Sequence, residues 1–146
     1  MIRPLPWNVG FAIGHPEIDA QHRHLVVLIN DIIAAVERNA LETLPERLNA
    51  LATAAAGHFR AELAVMRELG HSLHHGMTEP RKTPRLLKAL AEVAVDEHEA
   101  EHAALLNRLD GFRALPPHSL CERLREWFVD HAIKRDARLR AVFQAI

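Results

Sequence analysis

The chain has 146 residues and a formal net charge of −1, so it offers no strongly basic surface for nucleic acid or for an anionic membrane. Cys121 is its only cysteine, which excludes a disulfide framework and makes a reducing, cytoplasmic location the expected one. Its apolar runs are shorter than the roughly 18 residues that cross a bilayer, and its first residues lack the apolar segment of a signal peptide.

The N-terminal part of the chain predicts an arm followed by a first helix. Residues 1–15 contain two prolines and two glycines and read as an extended arm, with Trp7 and Phe11 as anchors. Pro16 then begins a helix, because proline is favoured at the first helical position. Apolar residues follow at spacings of three and four, and His22 occupies one position of that apolar stripe.

Three further helices are predicted from the same kinds of signal. Thr43–Glu46 and Ser119–Glu122 match capping boxes, and Thr83 followed by Pro84 is another helix start. The predicted helices span residues 16–38, 44–75, 84–112 and 119–143. Short connections between amphipathic helices predict an all-α, antiparallel up-down-up-down four-helix bundle, formed by residues 1–146 as a single domain.

Polar side chains interrupt the apolar stripe of every predicted helix. Burying such groups without partners costs roughly 1–3 kcal/mol each. At 1.5 Å per residue, most of them lie roughly 20 Å from a helix start, so an antiparallel bundle brings them into one layer. The set consists of His22, His58, Glu62, His98, His102, His131 and Asp136.

The chemistry of this set favours a pair of metal ions. Carboxylates can bridge two cations while neutral imidazoles complete their coordination, and without a thiolate in the set iron is favoured over a structural zinc. The donors fall short of filling two octahedral ions. An open position on a reducible metal would allow a small ligand such as O2 to bind.

Four short segments carry these residues: IDAQH ending at His22, HFRAE from His58, HEAEH from His98, and WFVDH ending at His131. With Asp136 they resemble hemerythrin in its bacterial single-domain form, over nearly the whole chain. The resemblance implies two non-haem iron ions with an oxo or hydroxo bridge. It assigns His98, His102 and His131 to one iron, His22 and His58 to the other, and Glu62 and Asp136 to the bridge.

The resemblance also implies a function. It predicts an O2-binding protein that is not an enzyme, serving oxygen storage, transport or sensing, with Trp127 as an aromatic residue of the pocket. Nitric oxide and small anions such as azide are further candidate ligands. An enzyme or stress protein that handles peroxide, nitric oxide or iron at the same site stays open as the alternative.

The chain departs from the family pattern in three places. Leu63 stands where a second acid is usual. Ala132 stands where isoleucine is usual, and its smaller side chain predicts a more open pocket. The interval between Glu62 and His98 is longer than expected, so residues 63–97 predict an extended hairpin. This predicted hairpin carries three histidines, which are either exposed polar residues, a second metal site or a surface for a protein partner. They are His71, His74 and His75.

Two other metal sites have partial sequence support. HEAEH matches the H-E-x-x-H zinc-peptidase motif, but Glu99 would face away from the stripe through His98 and His102, so we reject it. Ferritin-like di-iron enzymes need two E-x-x-H pairs. Glu68 and Glu99 each precede a histidine by three residues, but the pairs fall at different heights. Finally, His15, His24 and His118 are interpreted as surface or capping residues.

Overall fold

The computed structural model describes residues 2–74, 95–136, 139–141 and 143. These ranges contain helices and no strand, which confirms the all-α prediction. The four α-helices are α1 (Pro16–Glu37), α2 (Leu44–His74), α3 (Val95–Gly111) and α4 (Pro117–Val129). A π-helix, Asp130–Arg135, continues α4.

Consecutive helices run antiparallel. Gln21 of α1 meets His58 of α2, whereas Asp31, further along α1, lines the same pocket as Arg47, earlier in α2. The same reversal of order appears in the pairs Phe59–His102 and Arg67–Glu99 between α2 and α3, and Leu105–Trp127 and His98–Asp136 between α3 and the α4 region. Because α4 also packs on α1, the helices close around a common core, as the predicted up-down-up-down bundle requires.

The N-terminal arm is anchored through the predicted aromatic residues. Phe11 is buried and meets the ring of Phe128 edge-on, with 4.9 Å between centroids. Trp7 is half-buried and packs edge-on against Phe11. At the end of the arm, His15 caps α1, since its Nδ1 accepts the backbone N–H of Ile18 at 3.3 Å. The predicted start of the first helix is therefore confirmed.

Two predicted helix starts have different local causes from those expected. The chain enters α2 at Leu44 as predicted, but the Thr43 hydroxyl donates to the carbonyl of Ala40 at 2.8 Å. The fourth helix begins at Pro117, two residues before the expected Ser119, and no side chain caps it. Proline has its φ fixed near the helical value, so it starts the helix ahead of the capping sequence.

The prediction of a continuous α-helix from 119 to 143 is wrong, because the π-helix replaces its middle. Five residues along an α-helix rotate a side chain by about 140°, which would separate His131 from Asp136. The π-helix adds a residue to the turn, and the N–H of Asp136 donates to the carbonyl of His131 at 2.9 Å. Both side chains are thereby brought to the inner face of the bundle.

The structure describes only part of the predicted extended hairpin. Helix α2 continues past Glu62 to His74, and α3 is seen from Val95 onward. The predicted helix start at Pro84, the residue His75, and the side chains of His71 and His74 lie outside the described residues, so the hypotheses placed on them remain predictions. Within the described ranges, no helix has the length and apolar character needed to cross a membrane.

Candidate metal centre

The structure brings all seven predicted site residues together in the core of the bundle. None of the seven residues is more than 3% exposed. Helix α1 contributes His22, and the HxxxE and HxxxH pairs of α2 and α3 lie at i and i+4, so each pair shares one helix face. The π-helix contributes His131, with Asp136 directly after it. The convergence expected from the sequence is therefore present.

The donor atoms fall into two groups that share a residue. Atoms within 4.8 Å of one another come from His22, His58, Glu62, His131 and Asp136 in the first group, and from Glu62, His98 and His102 in the second. In the first group, Oδ2 of Asp136 lies 2.9 Å from Nε2 of both His22 and His131. Nε2 of His58 lies 3.2 Å from each of those two nitrogens.

The two carboxylates connect the groups. Oε1 of Glu62 contacts Nε2 of His98 and lies 3.2 Å from Nε2 of His102, while its Oε2 lies 3.0 Å from Nε2 of His58. Asp136 also reaches both groups, because its Oδ1 is 3.5 Å from Nε2 of His98. This is the arrangement of bridging carboxylates. The resemblance assigned His131 to the His98 and His102 side, whereas the geometry groups it with His22 and His58.

Contacts outside the cluster fix how two imidazoles present their nitrogens. Nδ1 of His22 donates to the backbone carbonyl of Phe11 at 2.5 Å, and Nδ1 of His58 donates to Oε1 of Gln21 at 2.8 Å. In a neutral imidazole, a protonated Nδ1 leaves a lone pair on Nε2. Two such lone pairs facing each other at 3.2 Å need a proton or a cation between them. The donor set therefore fits a metal.

Several buried polar atoms of the cluster lack hydrogen bonds. Both oxygens of Asp136 and Oε2 of Glu62 have close imidazole neighbours but no hydrogen-bonding geometry, and Nδ1 of His102 and of His131 has no hydrogen-bond partner in the part of the chain that the structure describes. Buried polar groups are almost always satisfied in folded proteins. Cations bound between these carboxylates and imidazoles would satisfy the oxygens, which is a second observation in favour of a metal site.

The carboxylates carry negative charge at neutral pH. Burial raises the pKa of Glu62, but the facing imidazoles of His102 and His131 outweigh burial and hold that pKa well below its usual value. Burial likewise raises the pKa of Asp136, yet the charge of His131 brings it to about 2. Two ionised carboxylates in a closed core provide the negative charge that a pair of cations requires.

Four of the histidines divide according to whether they lie near one or both of these carboxylates. Burial lowers the pKa of His98, but contacts with Asp136 and Glu62 raise it to about 9, and the same two residues raise the pKa of His131 to about 10. For His58 and His102 burial dominates, and it lowers the pKa of each below 6.5.

Aromatic residues enclose the cluster, and Phe59, which contacts two of its imidazoles, was missed by the sequence analysis. Phe59 stacks on His102 with 4.2 Å between centroids and meets His131 edge-on at 5.0 Å. Trp127, expected at the pocket, is fully buried behind Phe59 and donates its indole N–H to the carbonyl of Leu105. The available signal was that Phe59 directly follows His58, a predicted metal ligand, in the sequence.

Gln21 and the carbonyl of Phe11 were also missed. Gln21 directly precedes His22 in the sequence, which was a weak signal for a role at the site. A backbone carbonyl has no sequence signature, so the contact of Phe11 with His22 could not be predicted. At two of the three departures from the family pattern, the structure buries the residue concerned, Leu63 in one and Ala132 in the other.

The two rejected metal sites are not formed. The side chain of Glu99 is 57% exposed and pairs with Arg67 at 3.1 Å, so it points away from the cluster. This confirms that HEAEH does not form a zinc-peptidase site. Glu68 is also exposed, so neither glutamate of the two candidate E-x-x-H pairs reaches the core.

An antiparallel helical bundle with carboxylates and imidazoles buried at its centre is a cation-binding fold. Comparison with protein families agrees with this class: the model of the hemerythrin HHE cation-binding domain matches residues 14–140, nearly the whole chain. The chain belongs to the hemerythrin family, as the sequence motifs indicated. No curated protein and no solved structure matches it.

Proposed function

We propose that the buried cluster holds two non-haem iron ions and that the protein binds O2 reversibly, without catalysing a reaction. The observation that carries the proposal is the composition of the site. Five imidazoles and two carboxylates converge, and each carboxylate reaches both groups of donors. Such nitrogen and oxygen donors suit iron, whereas a structural zinc site commonly includes thiolates.

Each ligand has a stated task in this proposal. Glu62 and Asp136, which each reach both groups of donors, would hold the two ions together with His22, His58, His98, His102 and His131. The iron ions, once bound, supply the reducible centre at which O2 is taken up. The remaining work belongs to the surrounding residues, which orient the ligands and exclude water.

Orientation and exclusion of water follow from the contacts. Phe11 and Gln21 hold two imidazoles with Nε2 turned inward. Phe59 covers the rings of His102 and His131, and Trp127 closes the layer behind it. A dry, apolar surrounding favours reversible binding, because a bound ligand is shielded from the water and protons that drive side reactions.

The proposal extends to the use of O2 binding, to competing ligands, and to the location and partner of the protein. Storage, transport and sensing of O2 all use reversible binding, and nitric oxide or small anions such as azide would compete for the same position. We place the protein in the cytoplasm, since its single cysteine, Cys121, suits a reducing compartment. A protein partner is proposed for the hairpin 63–97.

The decisive experiment is anaerobic loading with Fe(II), followed by metal analysis and a visible absorption spectrum. The expected result is two irons per chain and an absorption band that appears with O2 and disappears when O2 is removed. Exposed His118 provides a matched control: His118→Asn should behave as the unmodified protein, whereas His98→Asn should lose iron.

The other outcomes identify the alternative. Two irons that oxidise at once and do not recover would favour an enzyme or stress protein that handles peroxide, nitric oxide or iron. Zinc in place of iron, or loading that His98→Asn does not reduce, would contradict a di-iron centre at these residues.

A further inference from the structure

Three successive backbone carbonyls of the N-terminal arm are held by two different elements. The guanidinium of Arg140 donates to the carbonyl of Ala12 at 2.9 Å and to the carbonyl of Gly10. The carbonyl between them, that of Phe11, accepts the Nδ1 proton of His22. Arg140 therefore binds the carbonyls on both sides of the one that accepts from His22, a proposed metal ligand.

The neighbouring N–H groups of the arm are held by a side chain of α1. The carboxylate of Asp19, in the first turn of α1, accepts from the backbone N–H of Ile13 at 2.7 Å and from that of Gly14 at 3.3 Å. Gly14 has a φ of +91°, which a residue with a side chain rarely adopts. Residues 10–14, Asp19 and Arg140 together form what we call the arm clasp.

The arm clasp also joins the arm to the backbone of Asp136, the residue that carries the second carboxylate of the cluster. Arg140 lies one helical turn after Asp136, and its backbone N–H donates to the carbonyl of Asp136 at 3.0 Å. Its side chain is half-buried, so its hydrogen bonds to the arm are shielded in part from competing water. Nothing in the pattern of ligand residues requires an arginine here, and the sequence analysis did not assign it to the site.

We propose that Arg140 is a positioning residue for His22. By holding the carbonyls of Gly10 and Ala12, Arg140 fixes the Phe11 peptide, and the Phe11 carbonyl in turn keeps the Nδ1 proton on His22 and Nε2 free for a metal. Outer contacts of this kind set the tautomer and ring orientation of a metal-binding histidine. The predicted effect of Arg140 on iron binding rests on the proposed function, whereas its predicted effect on the Nδ1 proton of His22 does not.

The first test uses the metal-free full-length protein and follows the Nδ1 proton of His22 by ¹⁵N-edited NMR. Arg140→Gln should accelerate the exchange of this proton with water at least several-fold, because the Phe11 carbonyl is no longer fixed. Arg125→Gln is the matched control, since Arg125 donates to the carbonyl of Arg3, on the same arm but away from the site. It should leave the exchange rate unchanged.

The second test measures Fe(II) affinity by competition with a coloured chelator under anaerobic conditions. Arg140→Gln should weaken iron binding by about tenfold or more, the lower part of the range for outer contacts of metal ligands. Arg125→Gln should bind iron as the unmodified protein does. Arg140→Lys keeps the charge but lacks the planar fork that reaches two carbonyls, so its affinity should fall between the two.

The outcomes separate this proposal from the function it builds on. Unchanged proton exchange in Arg140→Gln, or equal effects of Arg140→Gln and Arg125→Gln in either test, would overturn the role of Arg140. Failure of the unmodified protein to bind iron would overturn the proposed function, while the exchange measurement would still decide whether Arg140 positions His22.

Discussion

Gln21 shows how a single side chain on one helix sets the orientation of a proposed metal ligand on the next helix. Its Oε1 accepts the Nδ1 proton of His58 at 2.8 Å, across the contact between α1 and α2. His58 has almost no exposed surface, so water cannot readily replace this acceptor. The imidazole therefore depends on Gln21 for its tautomer.

Replacing Gln21 by alanine should weaken Fe(II) binding roughly 10- to 100-fold, because His58 would lose the partner that holds its Nδ1 proton. Anaerobic chelator competition measures the change. Gln21→Glu is the control, since it keeps an acceptor of the same length and should bind iron far better than Gln21→Ala. Equal affinities of the alanine variant and the unmodified protein would show that the contact does not matter.

At the level of single residues, the sequence predicted the cluster but not the groups that orient it. His58 and Glu62, and His98 and His102, could be found because polar side chains at i and i+4 interrupt an apolar stripe. The acceptor for His22 is a backbone carbonyl, which any residue could supply. The arm that carries it is placed by the arm clasp, whose long-range contacts have no periodicity.

Helix α3 depends on the cluster more than helix α1 does. The buried side chains of α3 are His98, His102, Leu105 and Leu109, so half of them are proposed ligands. Helix α1 buries nine side chains, of which only His22 is a proposed ligand. Apolar burial holds α1 in place with or without metal, whereas α3 has little else to fix it.

Removal of iron should therefore raise amide hydrogen exchange much more in α3 than in α1. Hydrogen–deuterium exchange with mass spectrometry, on the iron-loaded and metal-free protein, measures both helices in one experiment. The central turns of α1, from Leu25 to Ile33, serve as the internal reference. A uniform rise in both helices would indicate that metal stabilises the bundle as a whole and not through α3.

At the level of elements, the sequence predicted the class and order of the helices but not the change of helix type. The amphipathic pattern of residues 119–143 suits an α-helix, and a single added residue in a turn barely disturbs such a pattern. The available signal was chemical: His131 and Asp136 are five residues apart, a spacing that an α-helix cannot place on one face. The π-helix resolves that conflict.

In the whole molecule, the cluster occupies the place where a bundle of this size would otherwise have apolar packing. Among the residues that the structure describes, seven buried polar side chains lie in the core of the bundle, and several of their atoms have no hydrogen bond to that part of the chain. Without metal, contacts between carboxylates and imidazoles compensate their desolvation only in part, and Nε2 of His22 still faces Nε2 of His58 at 3.2 Å. The metal-free fold is therefore held by the apolar layers on either side of the site.

Removing the metal should lower the melting temperature of the protein by roughly 10 °C or more. An ion present at a thousand times its dissociation constant adds about 4 kcal/mol to the free energy of unfolding. In a chain of this size, each kcal/mol corresponds to about 3 °C. Calorimetry of the iron-loaded protein before and after anaerobic chelation measures the shift, and readdition of Fe(II) should restore the original melting temperature.

The same treatment of Glu62→Gln, which removes a proposed bridging carboxylate, should give a much smaller shift. An identical melting temperature with and without iron would mean that the ions do not bind in the core.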